Sequence, residues 1–171
     1  SYAAWADKWD GAVHRTPFRN VTLAMPEPLG VMAVVCPEEP ALLGFVSAVL
    51  PPVALGNAVV AFASERWPLP ATDLYQVLET SDVPAGAINI LTGRRDEVVP
   101  VLASHDDVDG MWHFGSAEAG GEVERLSAEN LKRTWVDLGR PRDWFDASAG
   151  EGREFLRHAS QVKNLWVPYG E

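Results

Sequence analysis

Short apolar runs recur along the chain and are separated by segments of a different periodicity. Most of them are bounded by glycine or proline, and they fall at residues 31–36, 58–62, 87–91, 111–114 and 134–138. Runs this short, without strict alternation of apolar and polar residues, are typical of strands that are covered on both faces. A further run, at residues 165–167, predicts one more strand near the end of the chain.

The intervening segments carry apolar residues at the spacing of an amphipathic helix. These predicted helices cover residues 41–50, 71–78, 97–103 and 117–127. Strands that alternate with helices at this spacing are joined by right-handed crossovers. The pattern therefore predicts an α/β fold, with a doubly wound, mostly parallel sheet and helices on both faces.

Length and composition narrow the class of protein. The 171 residues suit one domain, and 24 acidic against 14 basic residues give a formal net charge of −10. That charge argues against a nucleic-acid partner or an anionic membrane surface. The single cysteine, Cys36, excludes a disulfide-stapled module, and the four histidines lack the spacing of a metal site. No apolar run is long enough to cross a bilayer and the first residues do not resemble a signal peptide, so we expect a cytoplasmic protein.

Candidate chemistry lies where the predicted strands end, because an open parallel sheet binds ligands at that edge. Gly115 and Ser116 could offer backbone amides and a hydroxyl to a phosphate, or Ser116 could simply cap a helix. Glu65 could hold a ribose hydroxyl, or it could be a solvated loop acid. Neither GxxxxGK[ST] nor GxGxxG occurs. These residues alone therefore predict an α/β domain of unknown ligand.

Several motifs, in order, resemble the aldehyde dehydrogenase family from residue 2 to about residue 140. They are YAAWADK (2–8), EPLGV (27–31), ALGNAVV (54–60), PAGAINILTG (84–93), SHDDVD (104–109) and FGSAE (114–118). The resemblance implies a Rossmann-like domain of the type that binds NAD in this family, and a homodimer. It also implies cofactor contacts at the following positions: Ser64, Glu65, Gly93, Gly115, Ser116 and Gly139.

The chain departs from the family pattern at functional positions. The family has an asparagine that donates to the oxyanion where this chain has Glu39, and a carboxylate there would repel a developing negative charge. The family lysine that holds the adenosine ribose is replaced by Phe62, which cannot donate a hydrogen bond. The glutamate that can act as a general base is replaced by the shorter Asp137.

The family's nucleophilic cysteine has no counterpart, since no cysteine follows Cys36. We expect Cys36 itself, at the end of an apolar strand, to be a small core residue. The tail at residues 161–168 resembles a late strand of the family. The resemblance therefore implies that the catalytic domain is missing between residue 143 and this tail.

One branch of the family shares this pattern, namely the two-part family-16 aldehyde dehydrogenases, which carry a truncated second copy without the nucleophile. The matching motifs are VCPEE (35–39), GMWHFGS (110–116) and LWVPYGE (165–171). The resemblance implies that the rest of a longer polypeptide, with an N-terminal dehydrogenase region, is a partner of this chain. It divides the single domain, residues 1–171, into a leading helix and connector (1–26), a sheet core (27–142), a loop and helix (143–160) and a terminal strand (161–171).

Three hypotheses about function follow. The first is a non-catalytic, pseudo-NAD-binding domain that supports the structure or assembly of an NAD-dependent aldehyde dehydrogenase, which oxidises aldehydes to carboxylic acids. The alternative is a domain that still binds NAD(P), through Glu65, Gly115 and Ser116, and serves an active site completed elsewhere. The third is an interaction module, suggested by seven tryptophans, although burial of these side chains beneath loops explains them equally well.

Overall fold

The computed structural model describes residues 2–169. The strands are β1 (Ala12–His14), β2 (Asn20–Pro28), β3 (Val31–Val35), β4 (Ala58–Phe62), β5 (Ile88–Leu91), β6 (Gly110–His113), β7 (Arg133–Val136) and β8 (Ser160–Pro168). The helices are α1 (Ala41–Ala54), α2 (Leu69–Glu79), α3 (Arg95–Ser104), α4 (Ala117–Leu126), α5 (Ala147–Gly150) and α6 (Arg153–His158).

The central sheet has five parallel strands in the order β5-β4-β3-β6-β7. Successive side chains of a strand point to opposite faces, and β3 shows why both faces need cover. Met32 and Val34 are buried in the core beneath α1, α2 and α6, whereas Ala33 and Val35 are buried in the core beneath α3 and α4. The predicted doubly wound parallel sheet with helices on both faces is confirmed.

A second, antiparallel sheet has the order β1-β2-β8. The strands β2 and β8 pair along their whole length, from Asn20 opposite Pro168 to Pro28 opposite Ser160. The terminal strand predicted for residues 161–171 therefore starts one residue earlier, and its residues 170 and 171 lie outside the described part of the chain.

The prediction of a leading helix and connector at residues 1–26 is wrong. One 3-10 turn, Tyr2–Ala4, is followed by β1 and most of β2. The hydrogen bond from Trp5 N to Tyr2 O (2.9 Å) closes a single turn. A segment this short does not form enough bonds to propagate a helix. Alternating apolar residues at Val21, Leu23 and Met25 are the strand signal in β2.

Strand β7 also ends two residues before its predicted end at residue 138. Leu138 and Gly139 both adopt the left-handed region, with φ of 51° and 72°. A strand cannot continue through that conformation, and it is costly for a leucine. The resulting turn brings Gly139 back towards α4, where a Cβ added at Gly139 would lie 3.0 Å from the backbone nitrogen of Ala117.

The predicted loop and helix at residues 143–160 form α5 and α6, which close over the β6–β7 end of the sheet. The guanidinium carbon of Arg142 lies 5.1 Å from the centre of the Trp135 ring and 5.3 Å from that of Phe155. Its Nη1 donates to the Ala149 carbonyl at 2.6 Å. Cation–π contacts and this hydrogen bond hold the segment on the sheet.

Between residues 2 and 169, every helix is too short or too polar to traverse a lipid bilayer. Across the same residues, no three or more His, Cys, Asp or Glu side chains converge as metal ligands would.

Candidate functional site

A cleft of about 870 Å³ opens at the carboxyl ends of the central strands. It lies between β3 and β6, where the strand order reverses direction, which is the place at which open α/β sheets bind ligands. A smaller cavity of about 380 Å³ lies beside it, between α3 and α4. The residues shared by the walls of both cavities are Glu65, Arg95, His113 and Ala119.

Arg95, the first residue of α3, extends across the end of the central strand β3. Its Nη2 donates to the backbone carbonyl of Cys36 at 2.9 Å and forms an ion pair with Glu38. The guanidinium lies 5.8 Å from the centre of the Phe62 ring. The Arg95 side chain is 19% exposed and that of Glu38 is 39% exposed, so this ion pair is partly shielded from water.

Glu38 is the centre of a wider hydrogen-bond network. Its carboxylate accepts from the Ser64 hydroxyl (2.8 Å) and from the backbone amide of Arg66 (3.0 Å), as well as from Arg95. Burial alone would raise the pKa of Glu38, but these hydrogen bonds and the charge of Arg95 lower it below its ordinary value. Glu38 is therefore held ionised in the cleft.

The two cofactor residues predicted after β4 are both engaged internally. Ser64 is buried, and besides donating to Glu38 it accepts from the amide of Trp67 at 3.0 Å. A carboxylate oxygen of Glu65 accepts from the amide of Arg95 at 2.8 Å, at the amino end of α3. That carboxylate favourably meets the positive end of the helix dipole.

The Gly115–Ser116 turn is also bonded to other groups of the chain. The Ser116 hydroxyl accepts from the amide of Ala119 (3.2 Å), which confirms its helix-capping alternative. Asp137 accepts from the amides of Gly115 (3.1 Å) and Gly139 (3.3 Å). A side-chain carboxylate therefore sits at the backbone donors that an anionic ligand would use.

The remaining predicted positions lie farther from the network. Glu39 lines the cleft but is largely exposed, and it accepts from Arg66 Nη1 (3.2 Å) and Trp67 Nε1 (3.3 Å). Gly93, in the turn before α3, lines neither of the two cavities. The structure thus brings Glu39, Glu65, Gly115, Ser116, Asp137 and Gly139 to one cleft, with Ser64 behind it.

Cys36 follows β3 directly and is fully buried. Burial raises the pKa of its thiol to about 12, although the nearby Arg95 acts in the opposite direction. Its sulfur lies 3.9 Å from the Val34 carbonyl, facing the strand that precedes it. The expectation that Cys36 is a core residue is confirmed.

His113, the last residue of β6, is a polar residue that sequence reasoning missed. Its side chain is fully buried at the wall of both cavities, and neither ring nitrogen has a partner among the described residues. Burial, and then the charge of Arg95, lower the pKa of His113 to about 4, so the ring is neutral.

Arg95 was missed as well. Its position in the sequence is a signal, since it follows the third apolar run, residues 87–91, by only a few residues. Residues at the carboxyl end of any central strand are candidates for this cleft. Its long side chain, however, can reach several places, and the sequence alone does not say which.

Comparison with known proteins agrees with this architecture. The sequence profile of the aldehyde dehydrogenase family matches residues 1–141. The chain is 33% identical, over 138 residues, to a hydroxyisobutyraldehyde dehydrogenase of Mycolicibacterium austroafricanum. It is 32% identical, over 139 residues, to the NADP/NAD-dependent aldehyde dehydrogenase PuuC of Escherichia coli. Each match covers 81% of this chain.

Solved structures give the same result. A betaine aldehyde dehydrogenase of Staphylococcus aureus, crystallised with NAD+, superposes with a TM-score of 0.75 at 28% identity. The superposition covers 80% of this chain and 28% of the other. The matched region likewise represents 27% and 28% of the two curated relatives, so this chain corresponds to less than a third of their length. The matching profile, the relatives and the shared fold together show that this chain belongs to the aldehyde dehydrogenase family.

Proposed function

We propose that this chain is a non-catalytic, pseudo-NAD-binding domain that supports the structure or assembly of an NAD-dependent aldehyde dehydrogenase. The observation that carries the proposal is the state of the only thiol. Oxidation of an aldehyde in this family needs a thiolate that adds to the carbonyl carbon before hydride passes to NAD. Cys36 is fully buried, and its pKa of about 12 keeps it protonated at neutral pH.

The other positions that would assist the reaction support the same proposal. Glu39 places a carboxylate where the family has an oxyanion donor, and Arg66 and Trp67 hold it at the rim. Asp137 is bound to two backbone amides, so its Oδ1 is already an acceptor in two hydrogen bonds. Neither side chain is arranged to stabilise an oxyanion or to deprotonate a water molecule in the cleft.

The residues present do not fit NAD well. A dinucleotide brings a negatively charged pyrophosphate to the glycine turn at the edge of the sheet. In this chain Asp137 accepts from the Gly115 amide, and the ionised Glu38 faces the same cleft. A pyrophosphate would therefore have to displace Asp137 from this amide, and Arg95, a cation that could attract it, is already paired with Glu38.

The experiment that tests the proposal is an assay of NAD-dependent oxidation of short aldehydes by the full chain and by Cys36→Ala. We expect no turnover above buffer in either protein, with circular dichroism showing that both are folded. Turnover that Cys36→Ala abolishes would make Cys36 a nucleophile. Turnover that persists in the variant would show a different mechanism, and either result would refute the proposal.

A second candidate is a domain that retains NAD(P) binding and serves an active site completed elsewhere. The cavity between α3 and α4 favours it, because apolar side chains of Val99, Val123 and Leu126 line a slot next to Glu65. Relatives described as NADP/NAD-dependent or crystallised with NAD+ point the same way. Micromolar binding of NAD that Glu65→Ala abolishes would favour this candidate over the first.

The small sheet supports a role in assembly. Strand β8 pairs with β2 on one side only, and its other edge is unpaired among residues 2–169. Val162, Trp166 and Val167 are between 52% and 65% exposed along it. A long, apolar strand edge usually pairs with another strand. We therefore propose that a second copy of this chain covers the edge and forms a homodimer.

A strand that pairs with the whole free edge of β8 must be of similar length. This favours β8 of a second copy of the chain. The other outer strands, β1, β5 and β7, span three or four residues, against nine for β8. Residues 160–168 contain Lys163 and no acidic residue, so two copies of this strand meet without the repulsion that the net charge of −10 creates elsewhere. An antiparallel pair centred on Asn164 places Lys163 opposite Leu165 and Val162 opposite Trp166, with no like charges facing each other.

A further inference from the structure

We infer that the Arg95 side chain is the specificity-determining element that closes this cleft to dinucleotides, by dividing one continuous groove into two separate cavities. The inference rests on the proposed function, in which this chain does not bind NAD. It names the residue responsible and predicts that a dinucleotide site lies latent beneath it.

The guanidinium stands where a dinucleotide would have to cross the sheet. Arg95 starts at the amino end of α3 and reaches over the end of β3, the middle strand, to the Cys36 carbonyl. From there Nη1 approaches the end of β6, and a Cβ added at Gly115 would lie 3.3 Å from it. The Arg95 side chain therefore crosses the cleft between β3 and β6 from one wall to the other.

The two cavities on either side of Arg95 have complementary characters. The slot between α3 and α4 is largely apolar, with Val99, Pro100, Val123 and Leu126 in its walls. The larger cleft presents the Gly115–Ser116 turn and the polar groups beyond it. An apolar slot for a base, next to a glycine turn for phosphates, is the layout of a dinucleotide groove. Arg95 lies in the wall common to both parts.

The position of Arg95 is fixed by its partners. Glu38 holds the guanidinium from one side and is itself held by the Ser64 hydroxyl and the Arg66 amide. The Arg95 amide is bound to Glu65, which fixes the start of the side chain. A ligand that displaced the arginine would break this shielded ion pair and leave a half-buried carboxylate unpaired, which is costly.

This charge pairing dictates how the inference is tested. Removal of Arg95 alone would leave the negative charge of Glu38 facing any pyrophosphate. The double variant Arg95→Ala/Glu38→Gln removes the side chain and the charge together, and glutamine can still accept from Ser64 and Arg66. The matched control is Arg15→Ala, because Arg15 is exposed between β1 and β2 and lines neither cavity.

The experiment is a calorimetric titration of NAD into the full chain, into Arg15→Ala and into the double variant, each checked for folding by circular dichroism. We expect the double variant to bind NAD about tenfold or more tightly than the other two, which corresponds to about 1.4 kcal/mol. Glu38→Gln alone, which keeps the shape of the network, provides a second reading if the double variant does not fold. Because this variant loses the ion pair that holds Arg95, we expect it to bind NAD more tightly than the unmodified chain, but less tightly than the double variant does.

The outcomes separate this inference from the proposed function. The NAD affinity of the unmodified chain tests the proposed function. The difference in NAD affinity between the unmodified chain and the variants tests the role of Arg95. The assignment of Arg95 would be overturned if the folded double variant bound NAD no better than the unmodified chain. If the double variant does not fold, the same result for folded Glu38→Gln would overturn it. An equal gain in Arg15→Ala would also overturn it, since the gain would then not depend on the side chain that crosses the groove.

Discussion

Two cleft residues keep buried nitrogen atoms without a hydrogen-bond partner among residues 2–169, namely both ring nitrogens of His113 and Nε of Arg95. His113 is fully buried, between the Arg95 guanidinium and the start of the Gly115 turn. A neutral imidazole is tolerated in this position because protonation would add a second positive charge to a site that already holds one. Burial, and then the positive charge of Arg95, disfavour protonation of His113, so only Arg95 is charged at neutral pH.

This arrangement makes stability depend on pH. The unfolded His113 binds a proton near its ordinary pKa of 6.5, whereas the folded residue does so only at about 4. Its contribution is therefore fully present above pH 6.5 and is lost as the pH falls towards 4. We expect the free energy of unfolding to drop by about 3 kcal/mol between pH 7 and pH 4 from this residue.

The measurement is urea unfolding at a series of pH values for the unmodified chain, His113→Gln and His105→Gln. His113→Gln should remove the larger part of the loss between pH 6.5 and pH 4.5, and the remainder in this range comes from His158, whose pKa is also lowered by burial. The exposed His105 is the matched control, and its replacement should leave the pH dependence as it is. A profile that His113→Gln does not flatten would contradict the account of this residue.

At the scale of elements, the central sheet was predictable because its strands are short, apolar and separated by helical segments. The small sheet was largely missed for a physical reason: β2 and β8 are each exposed on much of their surface, and nine pairings between distant parts of the chain define them. Alternation in β2 was visible in the sequence, but its partner lies more than 130 residues away. The carboxyl-edge location of the site was predictable, whereas the reach of Arg95 was not.

The free edge of β8 leads to a prediction about assembly. Tyr169 N donates to the Arg19 carbonyl, so odd-numbered residues of β8 bond to β2. Because such bonds alternate along an antiparallel pair, the backbone N–H groups of residues 162, 164 and 166 point to the free edge. Asn164→Pro removes an outward donor without disturbing the pairing with β2.

We expect light scattering to find a dimer for the unmodified chain and for the matched control Asn164→Ala, which keeps the backbone N–H. Asn164→Pro should be monomeric with an unchanged circular dichroism spectrum. A monomer in all three would contradict the homodimer and leave the edge for a strand of another polypeptide. A dimer that survives Asn164→Pro would show that a different surface is used.

The whole molecule retains the fold of its family, while polar and charged groups that line its cleft bond to one another. Asp137 and Glu38 occupy the anion positions, Arg95 crosses the groove, and Cys36 is withdrawn into the core. The segment of residues 143–160 packs over the end of the sheet through the aromatic rings around Arg142. Under the proposed function, the sheet keeps its fold without the chemistry of an aldehyde dehydrogenase.

We predict that the groove between β3 and β6 is closed to the family's cofactor. The direct test is a calorimetric titration of NAD into the unmodified chain, with a full-length aldehyde dehydrogenase as the control in the same buffer. We expect no saturable binding below millimolar NAD. Saturable binding at micromolar NAD, with one molecule per chain, would contradict it.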